Sequence, residues 1–202
     1  MAGDTVTALV PLKALAAAKT RLAPALTPAA RRDLAARLAA SVCDACVACP
    51  AIDAVVLLAG DDDAAAVATG RSVTVWRPPG CGLSAALAEA DAAYADAGAT
   101  LVLAADLAGV RAAELTGLIT AGARGPAVVL APTADGGTGA LLRRPAGVIA
   151  PAYGPGSAAA HRAAAAAAGA RLVCWWSPWL GHDVDEPADL AIAEACADSG
   201  DG

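Results

Sequence analysis

Short aliphatic runs free of charge recur along the chain, separated by stretches in which apolar positions return every three or four residues. Residues 5–12, 54–58, 72–76, 100–103, 127–130 and 172–176 are such runs, short enough for strands and apolar enough to be buried on both faces. Helical spacing fills the intervals. Thr27-Pro28, a cap followed by proline in the first turn, opens a helix predicted to reach about Ala48. A short acid-led helix follows Asp61, another carries Leu83, Leu87, Ala90 and Tyr94 on one face, and a third spans Arg111 to Ala123. An alanine-rich helix follows Gly154-Pro155-Gly156-Ser157, and the last one follows Pro187. Strands alternating with helices predict an α/β protein: three αβα layers around a mostly parallel sheet. Ala140-Leu141-Leu142 stands apart as a short apolar piece after the loop Asp135 to Gly139.

Composition narrows this picture. The 202 residues suit one domain, and no Pro/Gly/Ser-rich stretch divides them. Apolar residues reach 57% but aromatics only 3%, with no phenylalanine, so the core falls to Leu, Val and Ile. A formal charge of −6 argues against a nucleic-acid surface, which needs a basic face. The N-terminus lacks a secretory pattern and no run approaches a membrane span, so a cytoplasmic protein without membrane contact is expected. The six cysteines are then reduced. Cys43, Cys46 and Cys49 have a spacing seen in metal sites but no fourth ligand nearby; Cys46 continues the stripe Leu34, Leu38, Val42, which favours core packing.

The chemistry-bearing residues are few. Asp106 ends the run Thr100-Leu101-Val102-Leu103, the position at which an α/β sheet delivers an acid to its active edge. In Asp183-Val184-Asp185 an extended backbone turns both carboxylates to one side and the valine to the other. Three convergent acids suit Mg²⁺, a hard cation that works beside phosphates. Each acid taken singly could equally cap a helix. Both lysines of the chain, Lys13 and Lys19, lie with Arg21 in one stretch between the first strand and the first helix, which suggests an anion site. No G-x-G-x-x-G follows the first strand and no Walker A sequence occurs, so ordinary dinucleotide and P-loop folds are disfavoured.

Gly154 to Ser157 places small residues and a hydroxyl at a helix start, where free N–H groups and the dipole favour an anion, although a plain serine cap would look the same. The glycines of Asp135 to Gly139 would let backbone approach a ligand or simply turn the chain. The two histidines, His161 and His182, belong to no triad and read as surface or packing residues. Scarcity of bases fits an acceptor that is already ionised, such as a phosphate, whose transfer chemistry needs positioning more than proton abstraction.

Five segments together resemble the guanylyltransferases of deazaflavin coenzyme biosynthesis. They are Val10-Pro11-Leu12-Lys13 with Ala18 to Leu22, Gly82 to Leu87, Ala105-Asp106-Leu107, Gly154 to Ser157 with His161, and Asp183 to Pro187. The resemblance covers nearly the whole chain and implies a nucleotide-diphospho-sugar transferase (glycosyltransferase-A-like) fold with GTP and a three-carbon phosphoacid as substrates. It implies that Asp106, Asp183 and Asp185 hold magnesium and that Pro11, Lys13, Lys19, Arg21, Leu83 and Ser84 face the nucleotide, with the three cations neutralising its phosphates. Thr138, Gly139, Gly154 and Ser157 would meet the phosphoacid. A homodimer is compatible with the resemblance. The chain departs from the family at Ser84, where asparagine is usual, at Ala108, where proline is usual, and at Gly139, which aligns with a substrate-contacting threonine.

The expected reaction is transfer of GMP from GTP to the phosphate of phosphoenolpyruvate, with pyrophosphate leaving. Alternatives are the same reaction on 2-phospho-L-lactate or 3-phospho-D-glycerate, nucleotidyl transfer to a sugar phosphate or a molybdopterin, and a catalytically silent nucleotide-binding homologue. Comparing turnover across the acceptors separates the enzymes, and GTP binding without turnover marks the silent form.

Overall fold

In the computed structural model, which describes residues 5–77 and 83–198, the aliphatic runs form β1 (Val6–Leu12), β2 (Ala54–Ala59), β3 (Thr74–Trp76), β4 (Ala99–Leu103), β5 (Ala127–Pro132), β6 (Thr138–Arg144) and β7 (Arg171–Cys174). They join one sheet in the order β3-β2-β1-β4-β6-β5-β7. The pairs β1·β2, β2·β3, β1·β4 and β5·β7 are parallel. β6 runs against both its neighbours, so β5 and β7 point the same way as β4. The piece expected to be a short apolar stretch after a glycine loop is therefore a seven-residue strand inserted between β4 and β5. The expected loop ends two residues early, since Thr138 and Gly139 already belong to β6.

Alternation along each strand sorts side chains onto two faces. Val10, Leu57, Leu101, Leu103 and Leu142 face α1 (Pro28–Val47) and α4 (Ala112–Ala121), in a core that also takes Cys43, Cys46 and Cys49. Leu9, Val56, Leu58 and Val102 face α3 (Leu83–Ala93) on the other side. Val128, Leu130 and Leu141 face α5 (Ser157–Ala167). The three layers are those the hydrophobic pattern predicts. Local signals also act as read: the Thr27 hydroxyl caps α1 by accepting the N–H of Ala30 at 3.2 Å, and Asp61 caps α2 (Asp62–Ala66) through Ala64 at 2.7 Å. The five described cysteines are free, and burial pushes the Cys43 thiol up to about 11 and that of Cys46 further. Both are protonated packing groups at neutral pH.

Strand order reverses between β1 and β4. From β1 the chain steps outward through α1 to β2 and β3, then returns through α3 to β4 on the other side of β1. A crevice opens at such a switch point, beyond the carboxyl ends of the two strands. The segment after β1, expected to be a basic loop, contains two 3₁₀ turns, Leu15–Ala17 and Thr20–Leu22, because Leu15 and Leu22 turn inward and are buried. No helix of the described residues is long and apolar enough to cross a membrane.

One charge pair crosses the core. The Arg143 guanidinium on β6, wholly buried, donates to both oxygens of Asp91 on α3 at 2.6 and 2.5 Å and to the Ile149 carbonyl at 3.1 Å. Cutting such a pair leaves a buried charge without a partner. Asp91→Ala is expected to cost about 3–5 kcal/mol in urea unfolding. Asp44→Ala, which breaks the more exposed pair with Arg71, should cost only about 0–1 kcal/mol.

Candidate active site

The crevice at the switch point collects three segments that are remote in sequence. Asp106 lies just past β4. The backbone around Asp183 runs antiparallel beside it: Leu107 and Asp183 form a β-bridge, and the Val184 N–H donates to the Asp106 carbonyl at 3.0 Å. The third segment carries Lys19 and Arg21. All three are pinned from below by one apolar cluster in which Leu22, Leu34, Leu38, Ala108 and Val184 are buried, with Leu190 and Ala193 of α6 (Leu190–Asp198) against it. Asp106 caps no helix, because Arg111 stands at the N-cap of α4 without a side-chain cap bond. Asp189, rather than Asp183 or Asp185, accepts the N–H groups of Asp185 and Glu186 at the start of the last helical segment.

Charges alternate across the crevice. The Lys19 ammonium, almost fully buried, donates to Asp106 Oδ2 at 2.5 Å and lies 3.9 Å from Asp185 Oδ1. The exposed Arg21 guanidinium donates to Asp185 Oδ2 at 2.7 Å. Lys19 takes a left-handed backbone, φ 54°, a conformation that costs a non-glycine residue energy and recurs at functional sites. Burial pushes the Asp183 carboxyl up from its ordinary value, and the charge of Asp106 adds to the effect; Asp135 raises it further while Lys19 opposes. Among the described residues no three acidic, histidine or cysteine side chains are grouped as they stand to hold an ion. The ammonium of Lys19 lies between two of the acids.

The remaining expected residues fall in different places. Pro11 sits within β1 in register with Leu58, and Lys13 just beyond the strand is exposed. Leu83 and Ser84 begin α3, but their side chains lie outside the described residues. Thr138 and Ser157 are buried together, with their hydroxyl oxygens 3.0 Å apart. Gly139 packs backbone to backbone. A Cβ there would lie 1.9 Å from the Leu180 carbonyl oxygen, so the position where the family carries threonine has no room for a side chain here. Gly154 is exposed with φ 139°.

The start of α5 differs from expectation. Gly156, not Ser157, is its N-cap, and the N–H groups of Ser157, Ala158, Ala159 and Ala160 already donate to the carbonyls of Gly154, Gly136, Gly156 and Gly156. The N–H groups of residues 157–160 are thus not free donors. The bond from Ala158 to Gly136 joins it to the loop that holds Asp135, whose carboxylate is kept low first by the Thr133 hydroxyl and then by the Gly137 N–H.

Two further residues take part in interactions that their sequence context does not mark. Asp135 lies in a glycine turn, yet its charge acts on Asp183. His161, expected as a surface or packing residue, is buried and bonded to Thr138. No periodic signal marks either one; an acid in a glycine turn and a histidine in an alanine helix have many uses. His182 pairs with Asp189 at 3.1 Å rather than with Asp183. A cleft of about 790 Å³ between α1 and α6 contains none of the expected site residues.

The family described as guanylyl transferase CofC like matches residues 6–194. A phosphoenolpyruvate guanylyltransferase of Salinispora arenicola is 41% identical over 191 residues, covering 93% of this chain and 86% of its own. One from Rubrobacter xylanophilus is 36% identical over 194 residues, covering 95% and 94%. Among solved structures, a nucleotidyl transferase from Methanothermobacter superposes with a TM-score of 0.70 at 17% identity, over 98% of this chain and 100% of its own. Glucosyl-3-phosphoglycerate synthase from Mycobacterium tuberculosis, in complex with Mn²⁺, UDP and its product, gives 0.60 at 15% identity, over 98% and 80%. These two share the nucleotide-diphospho-sugar transferase type of fold with this chain. With the relatives matching along almost its whole length, the chain belongs to the CofC-like guanylyl transferase family of nucleotidyltransferases.

Proposed function

We propose that this enzyme transfers GMP from GTP to the phosphate of phosphoenolpyruvate. An acceptor phosphate oxygen bonds to the α-phosphorus of GTP, the bond from that phosphorus to the oxygen bridging to the β-phosphorus breaks, and pyrophosphate leaves with that electron pair. The observation that carries this reading is the crevice in which Lys19 and Arg21 meet Asp106 and Asp185, with Asp183 beside them. The relatives named for phosphoenolpyruvate favour that acceptor over the other three-carbon phosphoacids.

The acids fit a hard divalent ion, for which Mg²⁺ is the proposal. Asp106 and Asp183 are tied by the backbone bridge, and burial together with the charge of Asp106 disfavours the ionised form of Asp183, which a cation would relieve. Asp106, Asp183 and Asp185 would hold it, and its chemistry there is to neutralise triphosphate oxygens as a Lewis acid. The chain's own cations do the rest. Lys19 and Arg21 exchange their carboxylate partners for phosphate oxygens, and Lys13 adds charge from the end of β1. The exchange at Arg21 is cheap because an exposed ion pair contributes little. Pro11, Leu83 and Ser84 complete the nucleotide side, and Thr138, Gly139, Gly154 and Ser157 the acceptor side. No general base is required, since the acceptor's second pKa near 6 leaves it ionised at neutral pH.

Incubation with GTP, Mg²⁺ and phosphoenolpyruvate should release pyrophosphate, and silence with every three-carbon phosphoacid would sink the assignment. Chelation of divalent ions should stop release and added Mg²⁺ restore it. Asp106→Asn is expected to lower kcat by about 10²–10³-fold or more with an unchanged far-UV circular dichroism spectrum. Arg21→Ala should raise the KM for GTP while moving stability by no more than about 1 kcal/mol, read by steady-state kinetics and urea titration.

A further inference from the structure

His161 is fully buried on the inner face of α5, and both of its ring nitrogens are engaged. Nε2 accepts the backbone N–H of Ala152 at 2.9 Å. An amide nitrogen can only donate, so Nε2 must carry a lone pair. Neutral imidazole then bears its proton on Nδ1, which lies 3.1 Å from Thr138 Oγ1 and donates to it. The proton of the Thr138 hydroxyl has one remaining polar neighbour among the described residues, Ser157 Oγ at 3.0 Å. Direction therefore passes along the chain Ala152, His161, Thr138, Ser157. At its end the Ser157 hydroxyl keeps a proton that no described protein group accepts.

The surroundings hold the ring neutral. Burial, and after it the charge of Arg143, lower the His161 pKa to about 4. Arg143 approaches from β6 and is itself paired with Asp91 of α3. The Tyr153 ring packs edge-on with centroids 5.2 Å apart. Its phenol is pushed up by burial and stays uncharged. Protonating Nε2 would set two donors against each other at Ala152, a further penalty on the charged form.

We propose that His161 is a positioning residue for the acceptor subsite: together with the Ala152 amide it sets the polarity of the Thr138–Ser157 hydroxyl pair, so that Ser157 presents a proton to an ionised phosphate or carboxylate oxygen. This rests on the assignment of Ser157 to the phosphoacid. Because the N–H groups of residues 157–160 are spent on carbonyls, the oriented hydroxyl is the donor that the first turn of α5 supplies. The subsite accordingly selects for a hydrogen-bond acceptor and against a group that can only donate.

The polarity is readable without substrate. In ¹⁵N-labelled protein, whose two histidines are separated by a His182→Gln variant, His161 should show protonated Nδ1 and bare Nε2, unchanged from about pH 8 to about pH 5. An Nε2–H tautomer, or titration near the ordinary 6.5, would overturn the proposal. In kinetics, His161→Phe should raise the KM for phosphoenolpyruvate by at least about tenfold, the loss of one hydrogen bond to a charged group. The KM for GTP should stay within about twofold. His161→Asn, whose amide N–H stands near the position of Nδ1–H, should recover most of the loss. Equal damage to both KM values, or no rescue by asparagine despite a native spectrum, would reduce His161 to a packing residue. Ser157→Ala separates the two layers of the reading: an unchanged phosphoenolpyruvate KM would remove Ser157, and with it the role of His161, from the acceptor subsite, while the measured tautomer would stand.

Discussion

The site depends on a single pairing, the antiparallel bridge that lays Asp183 alongside Leu107 beyond the end of β4. Without it, Asp106 would be a lone acid at a strand end and Asp183 and Asp185 part of a surface turn. The bridge itself is only a few hydrogen bonds. Its persistence comes from what lies beneath: Val184 and Ala108 are buried with Leu22, Leu34 and Leu38. The same burial that removes these apolar groups from water holds three acids and two cations in one crevice, a concentration of charge that would otherwise disperse.

That concentration is electrostatically unbalanced in a useful sense. Burial disfavours the charge of Asp183, and Asp106 and then Asp135 disfavour it further. Lys19 compensates part of this but is held in a left-handed conformation, its ammonium shared between Asp106 and Asp185. A site of this kind gains from binding a cation and a polyanion together, since each relieves what the other would aggravate. An apolar pocket of the same shape would have no such preference. The cleft between α1 and α6 is lined by none of these acids and lysines.

The inserted strand β6 connects this crevice to the second polar centre. Its first residue, Thr138, faces Ser157 and His161 of α5, and Arg143 further along reaches Asp91 of α3. One strand thus touches both helices of that face, fixing the start of α5 relative to the core by buried polar contacts. Those contacts are directional where the apolar ones are not. Gly139, whose backbone lies against the Leu180 carbonyl, lets the segment after β7 close over the start of β6.

The layers, six of the seven strands and the caps at Thr27 and Asp61 were legible in the chain itself. Burial on both faces and helical periodicity are local patterns, readable wherever they are repeated. The acids and the two lysines were legible as candidates because their residue types are scarce or sit at strand ends. What the chain alone could not reveal is the antiparallel course of β6, since a buried apolar run has the same composition in either direction. Nor could it assign Gly156 rather than Ser157 to the cap of α5, or give His161 its orientation. Both are decided by partners outside the helix, the Ala152 amide and the Thr138 hydroxyl for His161 and Thr138 again for the Ser157 side chain. Sequence determined which groups are available and on which elements. Only the tertiary structure decided which of them meet, because hydrogen-bond direction and charge balance exist between side chains and in none of them singly.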